Sequence, residues 1–370
     1  MEAHIRKRLL LINTDESVIK MINRRETKKI KVGNLFVGGD SRITVQSMLS
    51  VPAHDIEGNV AQALRLQEAG CDIIRVAVPD IESVRTVAAL KERVKSPIVA
   101  DIHFNYKLAL ESLAAGVDKV RINPGNIGAD ENVRLVANEC KRRGVPVRIG
   151  VNSGSVEKEI LAKFGGPTPE AMAESAMYHV KLLEKFDFDD IAISIKSSNV
   201  QNMIEAYERV AELCNYPLHL GVTESGTQRM GIIKSSIGIG ALLTKGIGDT
   251  IRVSLTDDPV KEVYAGFDIL KAIGLDKSTP TLISCPTCGR TKIDLISLAN
   301  EIEEKLRFVK KNITVAVMGC VVNGPGEARE ADIGVAGGNG EGLIFKKGEI
   351  LRKVPQEKIV EELMKEIETM

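Results

Sequence analysis

Three cysteines near the C-terminal end carry the most specific chemical signal in the chain: Cys285-Pro-Thr-Cys288, and Cys320 at the head of Cys320-Val-Val-Asn-Gly-Pro-Gly-Glu327. A CxxC turn answered by a third cysteine can hold a metal or an iron–sulfur cluster, because the thiolate is the ligand in both. No fourth cysteine follows, and no histidine lies beyond His219. A structural zinc site normally shows four Cys or His ligands, which disfavours a zinc ribbon. A thioredoxin-like dithiol would leave Cys320 without a role. A [4Fe–4S] cluster on Cys285, Cys288 and Cys320, one per chain, accounts for all three, and Glu327 beyond the Gly-Pro-Gly turn is the nearest oxygen donor for the fourth iron. An electron carrier normally has four firm thiolates. A weaker fourth ligand leaves an iron that a substrate can reach, so the set points to chemistry at the cluster.

A second group lies upstream. Arg75, Arg121, Arg148, Lys196 and Arg252 each fall late in, or just after, a short apolar segment. A charge in a buried strand is costly unless it is paired or faces a polar cavity. Cations converging on one cavity imply an anionic ligand, most simply a phosphate or diphosphate, and the planar guanidinium fork matches phosphate oxygens. The bland alternative for each is pairing with the nearby acids Asp101, Asp118 and Glu224. Asn123, Asn152 and Ser254 stand at the same segment ends and suit hydrogen bonds to phosphate or hydroxyl oxygens, although each alone equally suits loop or cap duty. Asp101-Ile-His103 places two titratable groups on one side of an extended stretch, as a candidate acid/base or polar-binding pair. Glu224, in Gly-Val-Thr-Glu-Ser-Gly, is the preferred proton donor or acceptor, since a carboxyl in a partly closed cavity has its pKa raised toward neutrality.

These residues need elements to hold them. Strand-like segments at 44–48, 73–76, 98–100, 119–122, 147–151, 191–195, 218–222 and 250–255 are short, β-branched and almost continuously apolar, as strands covered on both faces are. Amphipathic helical stretches alternate with them, ending at Gly70, Gly116, Gly144, Gly246 and Gly274. Eight strand–helix units predict a (β/α)8 TIM barrel, with its reactive face at the carboxyl ends of the strands. A doubly wound open sheet is second, disfavoured by the count and by the lack of GxGxxG after the first strand. The expected layout is an N-terminal extension at 1–27, the barrel at 28–274, a linker at 275–281, and a small α+β iron–sulfur domain at 282–370. In that domain a helix is expected near 294–308, strands at 313–318, 333–336 and 343–345, and a final helix from Pro355.

Composition narrows the partners. Fifty Lys+Arg balance fifty Asp+Glu, so no basic excess supports nucleic-acid binding. The first dozen residues lack the apolar core and cleavage site of a signal peptide, and no apolar run approaches the roughly 18 residues of a membrane span. The expectation is a cytoplasmic protein, where thiols stay reduced and CxxC favours metal or redox chemistry.

Taken together, Cys-Pro-Thr-Cys-Gly-Arg, Met-Gly-Cys-Val-Val-Asn-Gly-Pro-Gly-Glu, Val-Arg-Ile-Asn-Pro-Gly-Asn and Arg-Ile-Gly-Val-Asn-Ser-Gly-Ser resemble the 4-hydroxy-3-methylbut-2-enyl diphosphate synthase (IspG/GcpE) family in its two-domain bacterial form. The likeness runs from about Lys28 onward. It implies reductive ring opening of 2-C-methyl-D-erythritol 2,4-cyclodiphosphate in non-mevalonate isoprenoid biosynthesis, with flavodoxin or ferredoxin as electron donor. It also implies Cys285, Cys288, Cys320 and Glu327 as cluster ligands, diphosphate binding by the strand-end cations, Glu224 as acid/base, and a head-to-tail homodimer. Two other function classes compete: a non-redox barrel lyase with a structural zinc domain, and a cluster-bearing electron carrier.

Overall fold

The computed structural model describes residues 22–321 and 328–370. The chain divides between Ile269 and Leu270 into two compact units.

The first unit opens with a hairpin of β1 (Ile30–Val32) and β2 (Leu35–Val37). Eight parallel strands follow: β3 (Thr44–Met48), β4 (Ile73–Ala77), β5 (Ile98–Asp101), β6 (Lys119–Ile122), β7 (Val147–Asn152), β8 (Ile191–Lys196), β9 (His219–Leu220) and β10 (Thr250–Ile251). Their order is β8-β7-β6-β5-β4-β3-β10-β9, and a parallel bridge from Ile193 to Leu218 joins the two ends. The sheet therefore closes into a ring and is not the open alternative. The connecting helices are α1 (Ile56–Glu68), α2 (Val84–Arg93), α3 (Tyr106–Ala114), α4 (Asp130–Arg143), α5 (Lys158–Phe164), α6 (Pro169–Glu184), α7 (Val200–Leu213), α8 (Gln228–Leu243) and α9 (Pro259–Ala272). Asp55, Asn105, Thr168 and Asn199 cap α1, α3, α6 and α7 by accepting from backbone N–H groups, which satisfies donors the helices cannot.

This unit departs from the sequence expectation in three ways. The seventh and eighth strands are two residues each, not five or six; beyond Leu220 the ladder thins to the bonds from Arg252 N to the Leu220 carbonyl (2.9 Å) and from Thr223 N to the Ser197 carbonyl (3.4 Å). Helix α5 was not foreseen. Nor was the hairpin, whose Ile30, Val32 and Val37 pack on Ile73, Val99 and Ala192 inside the barrel. That apolar plug lies at the amino ends of the strands and gives the barrel a floor.

The second unit is a five-stranded mixed sheet in the order β11-β12-β13-β14-β15. Its strands are β11 (Thr281–Ser284), β12 (Thr314–Met318), β13 (Ile333–Gly337), β14 (Glu341–Lys346) and β15 (Glu349–Pro355), with helices α10 (Leu295–Leu306) and α11 (Ile359–Thr369). Ile302, Leu306, Ile359, Leu363 and Ile367 of these helices pack on Val315, Val317, Ile333 and Val335 of the sheet. Strand β11 falls where the sequence pattern shows only the end of a linker, and β15, charged along its length, was missed. Among the described residues no helix is long and apolar enough to cross a membrane.

Candidate active site

Side chains alternate across a strand. With Ile73, Val99 and Ala192 in the floor, the inward positions two residues on are Arg75, Asp101 and Ser194, followed by Lys196. Register then matches Val99 with Lys119, Asp101 with Arg121, and Arg121 with Arg148. The barrel interior is thus apolar at its base, where Lys119 stands level with Val99, and cationic above it. Arg148 and Lys119 are fully buried, and Arg75, Arg121 and Lys196 nearly so.

Asp101 is the hub of this interior. Its Oδ2 accepts from Arg75 Nη2 at 2.8 Å and its Oδ1 from Arg121 Nη1 at 3.2 Å, while His103 Nε2 lies 3.1 Å from Oδ2. Burial works to raise this carboxyl, but Arg75, His103 and Arg121 together hold it well below the usual carboxylate range. Asp101 is therefore ionised and takes the proton-bearing Nε2 of His103. Arg252 Nη2 is 3.4 Å from Glu262 of α9, and Glu262 also accepts from Ser47 Oγ at 2.8 Å and Leu255 N at 3.0 Å. Arg148 donates through Nη1 to Ser194 Oγ at 3.0 Å, leaving Nε and Nη2 buried without a partner. Burial, followed by Arg75 and Arg121, pushes the Arg148 guanidinium well below its ordinary value. Burial and then Arg252 do the same to Lys196.

Glycine makes room for this arrangement. A Cβ on Gly150 would sit 2.3 Å from Arg121 Nε and 2.6 Å from its Nη2, and Arg121 Nη2 donates to the Gly150 carbonyl at 3.3 Å. No other residue type fits there without moving Arg121.

The remaining candidates sit at the carboxyl ends of the strands. Asn123 is buried; its Oδ1 accepts from Gly125 N at 3.2 Å and its Nδ2 has no partner. Asn152 N donates to Ser155 Oγ at 2.9 Å, closing the turn after β7. The Ser254 carbonyl accepts from Ser225 Oγ. Glu224 is exposed and has a φ of +51°, a left-handed backbone that is unusual for a residue with a Cβ. That exposure replaces the partly closed cavity expected from the sequence. Of the three acids considered as ordinary pairing partners, Asp101 fills that role, whereas Asp118 pairs with Lys91 and caps the Ile98 N–H at 2.8 Å.

In the second unit the cysteines emerge at one end of the sheet. Strands β11 and β12 are parallel neighbours, with Ser284 level with Val317. Cys285 follows the first immediately, and Gly319-Cys320 ends the second. Gly319 N donates to Cys285 Sγ at 3.2 Å. A Cβ on Gly319 would meet Thr291 at 3.0 Å, so glycine allows the loop after Cys288 to lie against the strand end. Cys320 is buried, Cys285 half-buried and Cys288 exposed. The backbone and side chain of Arg290 lower the Cys288 thiol below its ordinary value. Two thiols just beyond adjacent strand ends, one already accepting an N–H bond, and a third in the loop after the first are a donor set that suits a thiolate-held cluster better than an oxygen-liganded ion. Among the described residues no three His, Cys, Asp or Glu side chains close on one point, and Glu327 lies outside those residues.

Comparison with known proteins places this geometry. Residues 27–267 match the GcpE TIM-barrel domain and residues 281–369 the GcpE protein C-terminal domain. The chain belongs to the GcpE family. It is 60% identical over 349 residues to the 4-hydroxy-3-methylbut-2-en-1-yl diphosphate synthase (flavodoxin) of Clostridium perfringens, covering 94% of this chain and all of that protein. The enzyme of the same name from Geobacillus thermodenitrificans is 56% identical over 351 residues, covering 95% of this chain and 94% of that protein. Among solved structures, a dihydropteroate synthase from Stenotrophomonas maltophilia aligns with a TM-score of 0.50 at 18% identity, over 66% of this chain and 97% of that one. That likeness concerns the barrel fold alone.

For this GcpE-family chain, sequence reasoning missed three interior residues. Lys119 opens its strand, so a rule that looks for function at strand ends passes over it. Gln46 is fully buried with both amide atoms unpartnered, yet reads as an ordinary polar residue in β3. Glu262 looks like a helix-surface acid but is 3% exposed. A charged residue two positions before Arg121 was the available signal for Lys119.

Proposed function

We propose that this chain catalyses the reductive ring opening of 2-C-methyl-D-erythritol 2,4-cyclodiphosphate to 4-hydroxy-3-methylbut-2-enyl diphosphate. Two electrons and two protons enter and one water leaves. The observation that carries this is the near-complete, 60% identity to relatives bearing that enzyme's name, in a chain that retains both the cation-lined barrel and the three-cysteine sheet. The domains divide the work, with residues 28–274 binding substrate and 282–370 holding the redox group, behind an N-terminal extension at 1–27 and across a linker at 275–281.

A [4Fe–4S] cluster held by Cys285, Cys288, Cys320 and Glu327 would supply the electrons one at a time. Flavodoxin or ferredoxin is the donor, and a head-to-tail homodimer brings one subunit's cluster domain to the other's barrel. The barrel's own residues bind and orient. Arg75, Arg121, Arg148, Lys196 and Arg252 offset the diphosphate charge, and guanidinium N–H groups without a protein partner, such as those of Arg148, are donors ready for phosphate oxygens. Asn123, Asn152 and Ser254 take the remaining polar groups of the substrate. Asp101 stays ionised, orders Arg75, Arg121 and His103, and so positions rather than donates. His103 and Glu224, both exposed, are free to move protons at the substrate. Anaerobic turnover of the cyclic diphosphate with a low-potential reductant tests the reading; absence of product from iron-loaded protein would reject it.

A further inference from the structure

Lys119 belongs to none of the roles above. Its side chain is fully buried within the barrel and its Nζ has no hydrogen-bond partner, a condition nearly all buried ammonium groups avoid. Its surroundings make a permanent charge worse. Arg75 on β4, Arg121 on β6, Arg148 on β7, Lys196 on β8 and Arg252 beyond β10 bring five more basic side chains into the same interior. Against them stand Asp101 on β5, already shared by Arg75 and Arg121, and Glu262 on α9, which faces Arg252. His219 on β9 is fully buried too, and burial with Arg148, Lys196 and Lys119 pushes its imidazole well below the ordinary value, so it adds no charge. Two carboxylates face six basic side chains in a space closed below by the apolar hairpin, too few to hold all six charged.

Resting on the anion-binding reading above, we propose that Lys119 is a proton-linked positioning residue of the anion site: it is neutral in the empty barrel and takes up a proton when an anionic ligand settles among the cations above it. An amine sealed from water among like charges favours its uncharged form, and a diphosphate entering the same interior reverses the local field. Burial, and then Arg148 and Arg75, bring the Lys119 ammonium down to about 7. The reaction balances as ligand plus one proton from solvent going to ligand bound beside a charged lysine. No covalent step is involved. Because linkage is reciprocal, the bound anion holds the proton as firmly as the proton holds the anion.

The test is calorimetry of the full chain with inorganic pyrophosphate as probe, in buffers of differing ionisation enthalpy at pH 8. There a group brought down to about 7 is mostly neutral, so wild type should take up the larger part of one proton more per site than Lys119→Met. Lys119→Gln, which keeps a polar end in similar volume, is measured alongside and should behave like the Met variant. Both variants should bind pyrophosphate with an affinity that no longer strengthens as pH falls from 8.5 to 6.5 beyond what the ligand's own ionisation explains. Uptake that is absent in wild type, or unchanged in both variants, overturns the inference while leaving the anion site intact. Failure of wild type to bind pyrophosphate at all would sink the anion-binding reading itself, and this inference with it.

Discussion

Gly150→Ala isolates one guanidinium. The added methyl would lie 2.3 Å from Arg121 Nε, 2.6 Å from Nη2 and 2.8 Å from Cζ, against the roughly 3.5 Å that unbonded heavy atoms keep. Arg121 must retreat by roughly 1 Å, and it is too enclosed to swing into solvent at 6% exposure. The move breaks its 3.2 Å bond to Asp101 and its 3.3 Å bond to the Gly150 carbonyl. Asp101 keeps Arg75 at 2.8 Å, so the carboxylate is not stranded. The expected loss is that of two hydrogen bonds made by a charged group, about 3 kcal/mol of stability or more. The site loses a correctly placed fork as well, which should weaken pyrophosphate binding by about tenfold or more, since about 1.4 kcal/mol is a factor of ten. Thermal melting and calorimetry read the two effects. Gly240→Ala is the control: nothing stands within 4 Å of its added Cβ in helix α8, and it should leave binding untouched. A Gly150→Ala protein with wild-type melting and affinity would refute the claim that this glycine positions Arg121.

Asp101→Asn should cost about 3–5 kcal/mol, because it leaves Arg75 and Arg121 buried without their shared counter-charge. The Asp101 carboxyl is depressed in the folded chain, so its contribution is complete above the ordinary carboxylate pKa of about 4 and fades only as pH falls below that. The gap in melting temperature between wild type and Asp101→Asn should therefore stay flat from pH 5 to 8; a gap that closes within that window would contradict the assignment. Glu224→Gln should retain iron and fold while turnover falls by about a hundredfold or more, as loss of a general acid or base does; wild-type turnover would remove Glu224 from proton transfer. Cys320→Ser should bind less than half of the wild-type iron in anaerobic reconstitution, and an unchanged iron content would remove Cys320 from the ligand set.

Most of the barrel was legible because its strands are buried on both faces, and burial writes itself as short β-branched runs such as Ile73-Ile74 and Val147 to Val151. The barrel cations stood out for the same reason: Arg75, Arg121 and Arg148 interrupt those runs where an apolar residue would otherwise pack, although Arg148 lies second in its strand and not late in it as expected. The hairpin was not legible, since Ile30, Val32 and Val37 become core only by contacting Ile73, Val99 and Ala192, far away in sequence. Lys119 and Glu262 were hidden by position, one at a strand start and one on a helix, where charge is ordinary. The roles within the cation cluster were hidden too. Sequence left Asp101 between an acid/base or polar-binding role and an arginine-paired one; its bonds to Arg75, Arg121 and His103 became visible only in the fold. Strand β15 carries Glu349, Arg352 and Lys353 on an edge, so no apolar alternation marks it.

The proposed function needs a cation-lined barrel and a thiolate-held redox group in the same chain, and a single preparation tests that union. Protein purified without oxygen should contain about four iron and four sulfide per chain, and should convert the cyclic diphosphate to the linear hydroxylated product when a low-potential reductant is added. Zinc without sulfide, or an iron–sulfur protein that leaves the cyclic diphosphate unchanged, would contradict it.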